Sequence, residues 1–251
     1  MLKPLATALA ATYRDNPGGL LDAGRASLSS GRDELTIAAY LGLTWASRLE
    51  KRFEHYGAML DSTSPAERSL GLAGLEHYSE LIHNALLHQG PPRLIVISIQ
   101  GQHLTAYDHG RVIVDTPVTT GRPSLPTDIG RMAVVGTDSP WTMKSPWPKG
   151  SPYWYPDTPV RMVVWFTSTG EGMHDADWEP AGSYGAGSQN GPYASHGCVH
   201  VPLSSETVLY RWAMVGIPVV VYPGGGSPLA VQLSQRSVDA NGNPVGGVRG
   251  D

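Results

Sequence analysis

The sequence predicts an α+β chain: a helical region over residues 1–90, a mainly-β domain over residues 93–223, and a flexible tail over residues 224–251. Apolar residues before position 90 recur at helical spacings of three and four. Short β-branched runs bounded by Gly, Asp and Asn follow Pro91-Pro92. Only 16% of residues are charged, while Gly numbers 30 and Pro 21, a balance that fits a loop-rich β protein better than a wholly helical one.

The first elements follow from periodicity and punctuation. Met1 to Ala11 carries one lysine and an Ala/Leu run broken by Thr7, with no cleavage site after it. It reads as a short helix, or as the start of a chain from which an export signal has been removed, and no export signal is evident. Leu41, Trp45, Leu49, Phe53, Tyr56 and Leu60 share one helical face, with Asp33 as the expected N-cap. Ser64-Pro65-Ala66-Glu67 supplies a cap serine, a first-turn proline and a glutamate at the third position. Leu70, Ala73, Tyr78, Leu81, Ile82 and Ala85 continue that helix, and Gly90-Pro91-Pro92 ends it. The two helices should form an antiparallel hairpin. His55, His77, His83 and His88 do not converge on a ligand set and read as solvated or capping residues.

Leu94–Ile99, His103–Tyr107 and Arg111–Thr119 form a meander joined by Gln100-Gly101 and Asp108-His109-Gly110. Further strands are expected at Met132–Val135 and Val160–Phe166. Between them, Pro140 through Pro156 is rich in Pro and aromatics and reads as an irregular insertion. Its Trp141, Trp147, Tyr153, Trp154 and Tyr155 could cover an extended ligand or simply pack the loop down. A glycine-rich loop runs from Gly182 to Ala194 and matches neither phosphate-binding pattern. Pro202 opens a helix with Leu203, Leu209, Trp212 and Ala213 towards the sheet, and Ile217–Tyr222 is a buried last strand.

Composition excludes several functions. The net charge of −4, without a basic run, argues against a nucleic-acid surface. No apolar run reaches the length of a transmembrane helix. The single cysteine, Cys198, rules out an internal disulfide and any zinc site built on Cys pairs.

That cysteine lies in Ser195-His196-Gly197-Cys198-Val199-His200-Val201-Pro202. A thiol is a strong nucleophile once a neighbouring imidazole takes its proton, and a preceding glycine lets backbone N–H groups approach a developing oxyanion. His174, some twenty residues upstream, completes a pattern that resembles the L,D-transpeptidases (YkuD-like), cysteine enzymes that cross-link bacterial peptidoglycan. The resemblance covers roughly Arg93 to Tyr222. It implies a mainly-β catalytic domain, sandwich- or barrel-like, with a helix after the cysteine motif.

By that resemblance Cys198 is the nucleophile and His174 the general base. His196 orients the site, and the backbone of His196, Gly197 and Cys198 lies near the oxyanion. Tyr155, or failing it Tyr153, contributes to the acyl pocket, with Ser195, His200 and Trp141 as further substrate contacts. Two positions depart from the family pattern. Asp175 stands where Gly is frequent, and could accept the other His174 ring N–H or point to solvent. His200 stands where Arg or Asn is common, which weakens the expected carboxylate contact.

The implied reaction is acyl transfer from a tetrapeptide stem, giving a 3→3 cross-link to a second stem. Water as acceptor would make the same site an L,D-carboxypeptidase. The resemblance further implies stem peptides as donor and acceptor, carbapenems as acylating inhibitors, an extracytoplasmic location and no cofactor. Other classes stay open: a zinc site from His196, Cys198, His200 and His174, or a non-catalytic wall-binding module.

Overall fold

The computed structural model describes residues 2–224, so the expected tail falls outside the described residues from position 225 onward. The chain divides into two compact units, Met1–Gly90 and Pro91–Asp251.

The first unit is helical: α1 (Leu2–Thr12), α2 (Pro17–Tyr40), α3 (Ala46–Ala58), a 3-10 turn at Met59–Asp61, and α4 (Pro65–Gln89). Helix α4 packs against the other three. Phe53, Leu72, Leu75 and Ile82 are the largest fully buried side chains of this unit. The cap at Ser64 is as expected, its hydroxyl accepting the Glu67 N–H, with Pro65 in the first turn. The preceding helix is not. Asp33 lies inside α2, whose cap is Asn16, accepting the Gly19 N–H at 2.9 Å ahead of Pro17. The apolar stripe from Leu41 to Leu60 spans a break after Tyr40, where Gly42 adopts φ +71°. Burial of Leu41, Trp45, Phe53 and Leu60 survives that break, which is why periodicity alone read it as one helix.

The second unit begins with the meander β1 (Arg93–Ser98), β2 (His103–Asp108) and β3 (Arg111–Pro117). It continues through β4 (Gly130–Ala133), β5 (Gly136–Asp138), β6 (Trp141–Met143), β7 (Thr158–Val160), β8 (Val163–Trp165), β9 (Gly172–Asp175) and β10 (Val199–Val201). Helix α5 (Leu203–Trp212) and β11 (Pro218–Tyr222) close it. One sheet has the order β3-β2-β1-β11-β4, the second β10-β9-β8-β5, and β6 pairs with β7.

Strands β1 and β11 pair in parallel, with Ile95 opposite Val219 and Ile97 opposite Val221. Ile95, Ile97, Val219, Val220 and Val221 are completely buried, as continuous apolar runs in a covered parallel pair should be. The expected strand Val160–Phe166 is two strands, β7 and β8, with different partners. The aromatic insertion is not wholly irregular, because Trp141–Met143 forms β6. In α5, Leu209 is buried but Leu203 is exposed, contrary to the expected sheet-facing stripe. Among the described residues no helix is long and apolar enough to cross a membrane.

Candidate active site

Two parallel strands bring distant sequence together. β9 and β10 pair in parallel with His174 opposite His200, so the residues just before β10 lie beside the start of β9. The meander sheet ends on the same place through bridges from Thr119 to His200 and from Gly121 to Ser195. Buried Gln102 ties these segments together. Its amide donates to Ile99 O and Thr120 Oγ1 at 2.7 and 2.6 Å, while its carbonyl accepts the Thr120 N–H at 2.7 Å. Arg122 clamps the next stretch by donating to the carbonyls of Ser195 and Ala194 at 3.1 and 2.6 Å.

Gly197 has φ +125°, a conformation that favours glycine. Its carbonyl accepts from Thr127 Oγ1 at 2.7 Å, and its N–H donates to Ser195 Oγ at 3.1 Å. Ser195 Oγ in turn donates to the Cys198 carbonyl. Thus Ser195, expected as a substrate contact, spends its hydroxyl on closing the turn that presents Cys198. The Gly197 N–H, expected near an oxyanion, is likewise committed to that turn.

Cys198 is partly buried and packs against the apolar cluster of Met143, Val160 and Val163. Its S–H faces the Gly170 carbonyl at 3.8 Å. Burial pushes the thiol up to about 12. A backbone N–H from Gly172 opposes the shift, and the Glu171 carboxylate adds to it.

His174 is buried and donates from Nδ1 to the Asp175 carbonyl at 2.8 Å. A carbonyl only accepts, so Nδ1 carries the hydrogen and Nε2 is left as the basic nitrogen. Burial first, then charge on His200, drive its pKa down to about 3, so the ring is neutral near neutral pH. The resting pair is a neutral thiol with a neutral imidazole, and transfer of the thiol proton belongs to the attacking step.

The Asp175 carboxylate takes neither role expected of it. It is buried and accepts the backbone N–H groups of Arg161 and Met162 at 2.8 and 3.0 Å, with the Arg161 guanidinium at 3.4 Å. Asp175 orients His174 through its main chain and fixes the β7–β8 corner through its side chain.

His200 is buried too. Its Nδ1 donates to Glu179 Oε2 at 2.8 Å, and its ring centroid lies 5.1 Å from that of His174 and 5.4 Å from that of Trp178. The other oxygen of Glu179 accepts from Thr119 Oγ1. Glu179 had no signal in the sequence, because nothing local marks an acid before Pro180 as a partner of a strand residue beyond the glycine-rich loop.

Two cavities meet at Cys198. The first, about 340 Å³, is bordered by Arg122, Tyr155, His174, Trp178, His196, Cys198 and His200. The second, about 520 Å³, is bordered by Trp141, Lys144, Trp147, Tyr155, Trp165, Glu171, His196 and Cys198. Tyr155 and His196 stand between them with ring centroids 5.0 Å apart. Burial holds His196 down to about 4, hence neutral, and raises Tyr155 to about 12. Tyr155 donates its hydroxyl to the Lys144 carbonyl at 3.1 Å. Of the tyrosine candidates, Tyr155 borders both cavities, whereas Tyr153 packs on Trp147 at 5.8 Å between centroids. Among the described residues no group of His, Cys, Asp and Glu is arranged to hold a metal ion.

The profile of the L,D-transpeptidase catalytic domain (YkuD) matches residues 92–221, just over half of the chain. No curated protein matches the sequence. Among solved structures, the chain is similar to an L,D-transpeptidase mutant from Enterococcus faecium, with 30% identity over 53% of this chain and 50% of the other and a TM-score of 0.47. The catalytic domain of E. faecium L,D-transpeptidase, solved by NMR, shares 32% identity over 52% of this chain and 96% of that domain, with a TM-score of 0.45. L,D-transpeptidase 3 from Mycobacterium tuberculosis with a faropenem-derived adduct shares 24% identity over 53% of this chain and 60% of the other, with a TM-score of 0.45. The chain thus spans about half the length of the first of these relatives.

Proposed function

The chain belongs to the L,D-transpeptidase catalytic-domain family, and from that premise we propose that it forms 3→3 peptidoglycan cross-links through a thioester on Cys198. The observation that carries the reading is the position of the sulfur. It borders two cavities that meet there, and a histidine with a basic Nε2 borders one of them. A hydrolase needs room for one peptide and a water; a transferase needs room for two peptides on one sulfur.

In the first half-reaction a donor tetrapeptide stem lies in the cavity that holds His174. His174 Nε2 takes the thiol proton as the sulfur attacks the carbonyl of the L-centre of the diamino acid. The tetrahedral intermediate collapses with loss of the bond to the terminal D-Ala, whose nitrogen leaves with the proton held on His174. The acyl group stays on Cys198 as a thioester. In the second half-reaction the side-chain amine of another stem attacks from the other cavity and displaces the sulfur. Tyr155 and His196, standing between the cavities, frame the acyl group. His200, held by Glu179, and Trp178 form the wall behind His174. Wall peptide as substrate puts this activity outside the cytoplasm.

The test is incubation with disaccharide-tetrapeptide and identification of the products by mass. Cross-linked dimer with release of D-Ala is the expected result. Tripeptide alone would make the chain an L,D-carboxypeptidase, and unchanged substrate would make it a wall-binding module. A carbapenem should add once to the intact protein and not to Cys198→Ala; an adduct surviving in that variant would refute the assignment of the nucleophile.

A further inference from the structure

His174 and His200 are register partners on β9 and β10, both are buried, and both border the first cavity with Cys198. They are held differently. A main-chain carbonyl accepts from His174 Nδ1, whereas a carboxylate accepts from His200 Nδ1. We propose that Glu179, acting through His200, is the buried anion that stabilises the imidazolium formed on His174 as the sulfur attacks, so that Glu179 and His200 are a positioning dyad for the general base. This rests on the acyl-transfer reading above.

Glu179 reaches this place because the chain turns straight after β9, its N–H donating to Ala176 O at 3.0 Å. Its carboxylate meets donors: Thr119 Oγ1, His200 Nδ1, and Ser183 Oγ at 3.4 Å. An ionised carboxylate only accepts, which is the part these neighbours ask of it. With its Nδ1 hydrogen given to Glu179, a neutral His200 leaves Nε2 bare. Trp178 stands perpendicular to that ring at 5.4 Å and fixes its plane.

His174 has no anion of its own. Its Nδ1 rests on a neutral carbonyl, and the Asp175 carboxylate is spent on the N–H groups of Arg161 and Met162. Burial disfavours a proton on the ring, yet catalysis requires one there. The remaining titratable groups on the cavity do not help: Cys198 is the proton donor, His196 is neutral, and Arg122 is a cation bound to the Ser195 and Ala194 carbonyls. An anion one ring away, where little water screens it, favours the imidazolium by about tenfold or more. A proton on His200 would reverse the effect, since charge there opposes charge on a ring 5.1 Å away. The dyad therefore works while His200 is neutral, and the two rings titrate as a unit.

In the step itself the S–H bond of Cys198 breaks, the S–C bond forms, and the hydrogen passes to His174 Nε2. Glu179 neither gives nor takes a proton. It answers the positive charge on His174 until the D-Ala nitrogen carries that hydrogen away.

The experiment follows carbapenem acylation by intact mass, alongside Tm, in the wild type, Glu179→Gln and Glu179→Leu/His200→Phe. Glu179→Gln keeps a hydrogen bond without the charge, and should acylate about tenfold or more slowly at neutral pH with nearly normal Tm. The apolar double variant should regain Tm but not rate, whereas a merely structural pair would regain both. In the wild-type protein, imidazole nitrogen NMR shifts should place the His200 hydrogen on Nδ1 with none on Nε2, and this arm decides the matter if the variants fail to fold. A wild-type rate in folded Glu179→Gln or in the double variant, or a hydrogen on His200 Nε2, overturns the dyad. Wild-type protein acylated by neither a carbapenem nor disaccharide-tetrapeptide removes the acyl-transfer reading as well.

Discussion

Replacing Glu179 by leucine removes the common partner of two buried groups. The Thr119 side chain and His200 are 0% and 6% exposed, and Glu179 itself is 6% exposed. One Glu179 oxygen accepts from Thr119 Oγ1 and the other from His200 Nδ1 at 2.8 Å. Removing the carboxylate leaves the buried His200 Nδ1–H without an acceptor, which costs about 1–3 kcal/mol. The orphaned threonine hydroxyl adds about 1 kcal/mol. For a domain of this size the sum corresponds to a fall in Tm on the order of 10 °C.

The assay is thermal denaturation of the wild type, Glu179→Leu and the double variant Glu179→Leu/His200→Phe. The double variant should recover most of the loss, because two apolar groups leave no buried donor without an acceptor. Glu179→Gln should cost far less. Its carbonyl can accept from only one of Thr119 Oγ1 and His200 Nδ1, so a hydrogen bond is kept while the carboxylate beside His200 is lost. Its signature should be an altered pH profile of acylation with nearly normal Tm. A Glu179→Leu protein that melts within about 2 °C of wild type would refute this account of the buried pair.

Further predictions concern other parts of the chain. His174 titrates near 3 when folded against 6.5 when free, so between those values the unfolded chain binds the extra proton. Stability should therefore fall as pH drops from about 6.5 towards 3, by on the order of 5 kcal/mol from this group, and urea titrations of His174→Gln should show a flatter dependence. Gly197→Ala must hold an alanine at φ +125° with its Cβ 2.8 Å from Glu171 Oε1. A loss of about 1–3 kcal/mol in urea denaturation, with slowed carbapenem acylation, is the expected outcome. Gly31→Ala places a Cβ 2.2 Å from Phe53 Cζ, against a ring with no exposure. Overpacking should cost the helical unit about 1–3 kcal/mol, read as a lower urea midpoint by far-UV circular dichroism.

The features legible in the sequence were those with local causes. Ser64-Pro65 capped α4 because the cap chemistry lies within four residues, and β1 and β11 announced themselves as unbroken β-branched runs. The Ser-His-Gly-Cys block was equally readable, since the turn that presents Cys198 is built from its own neighbours. What stayed hidden required long-range pairing. The partner of His200 lies across the glycine-rich loop, and the acid beside Cys198 comes from the start of β9. Asp175 was misread for a related reason. A triad is inferred from side-chain types, whereas the ring of His174 is oriented here by a main-chain carbonyl that any residue would supply. The break after Tyr40 was missed because burial can keep helical spacing across a turn.

The parallel pairing of β9 with β10 sets the spacing of His174 and Cys198 by strand register, so the length of chain between them is left at liberty. The intervening loop is pinned at Gly185, whose N–H donates to Val118 O, and at Ser188, which bonds Gln102 and Val118. At Gly182 an added side chain would meet nothing within 4 Å. Residues inserted there would reshape the approach to the first cavity while the chemistry kept its geometry, which makes that point of the loop the natural place to recut peptide preference.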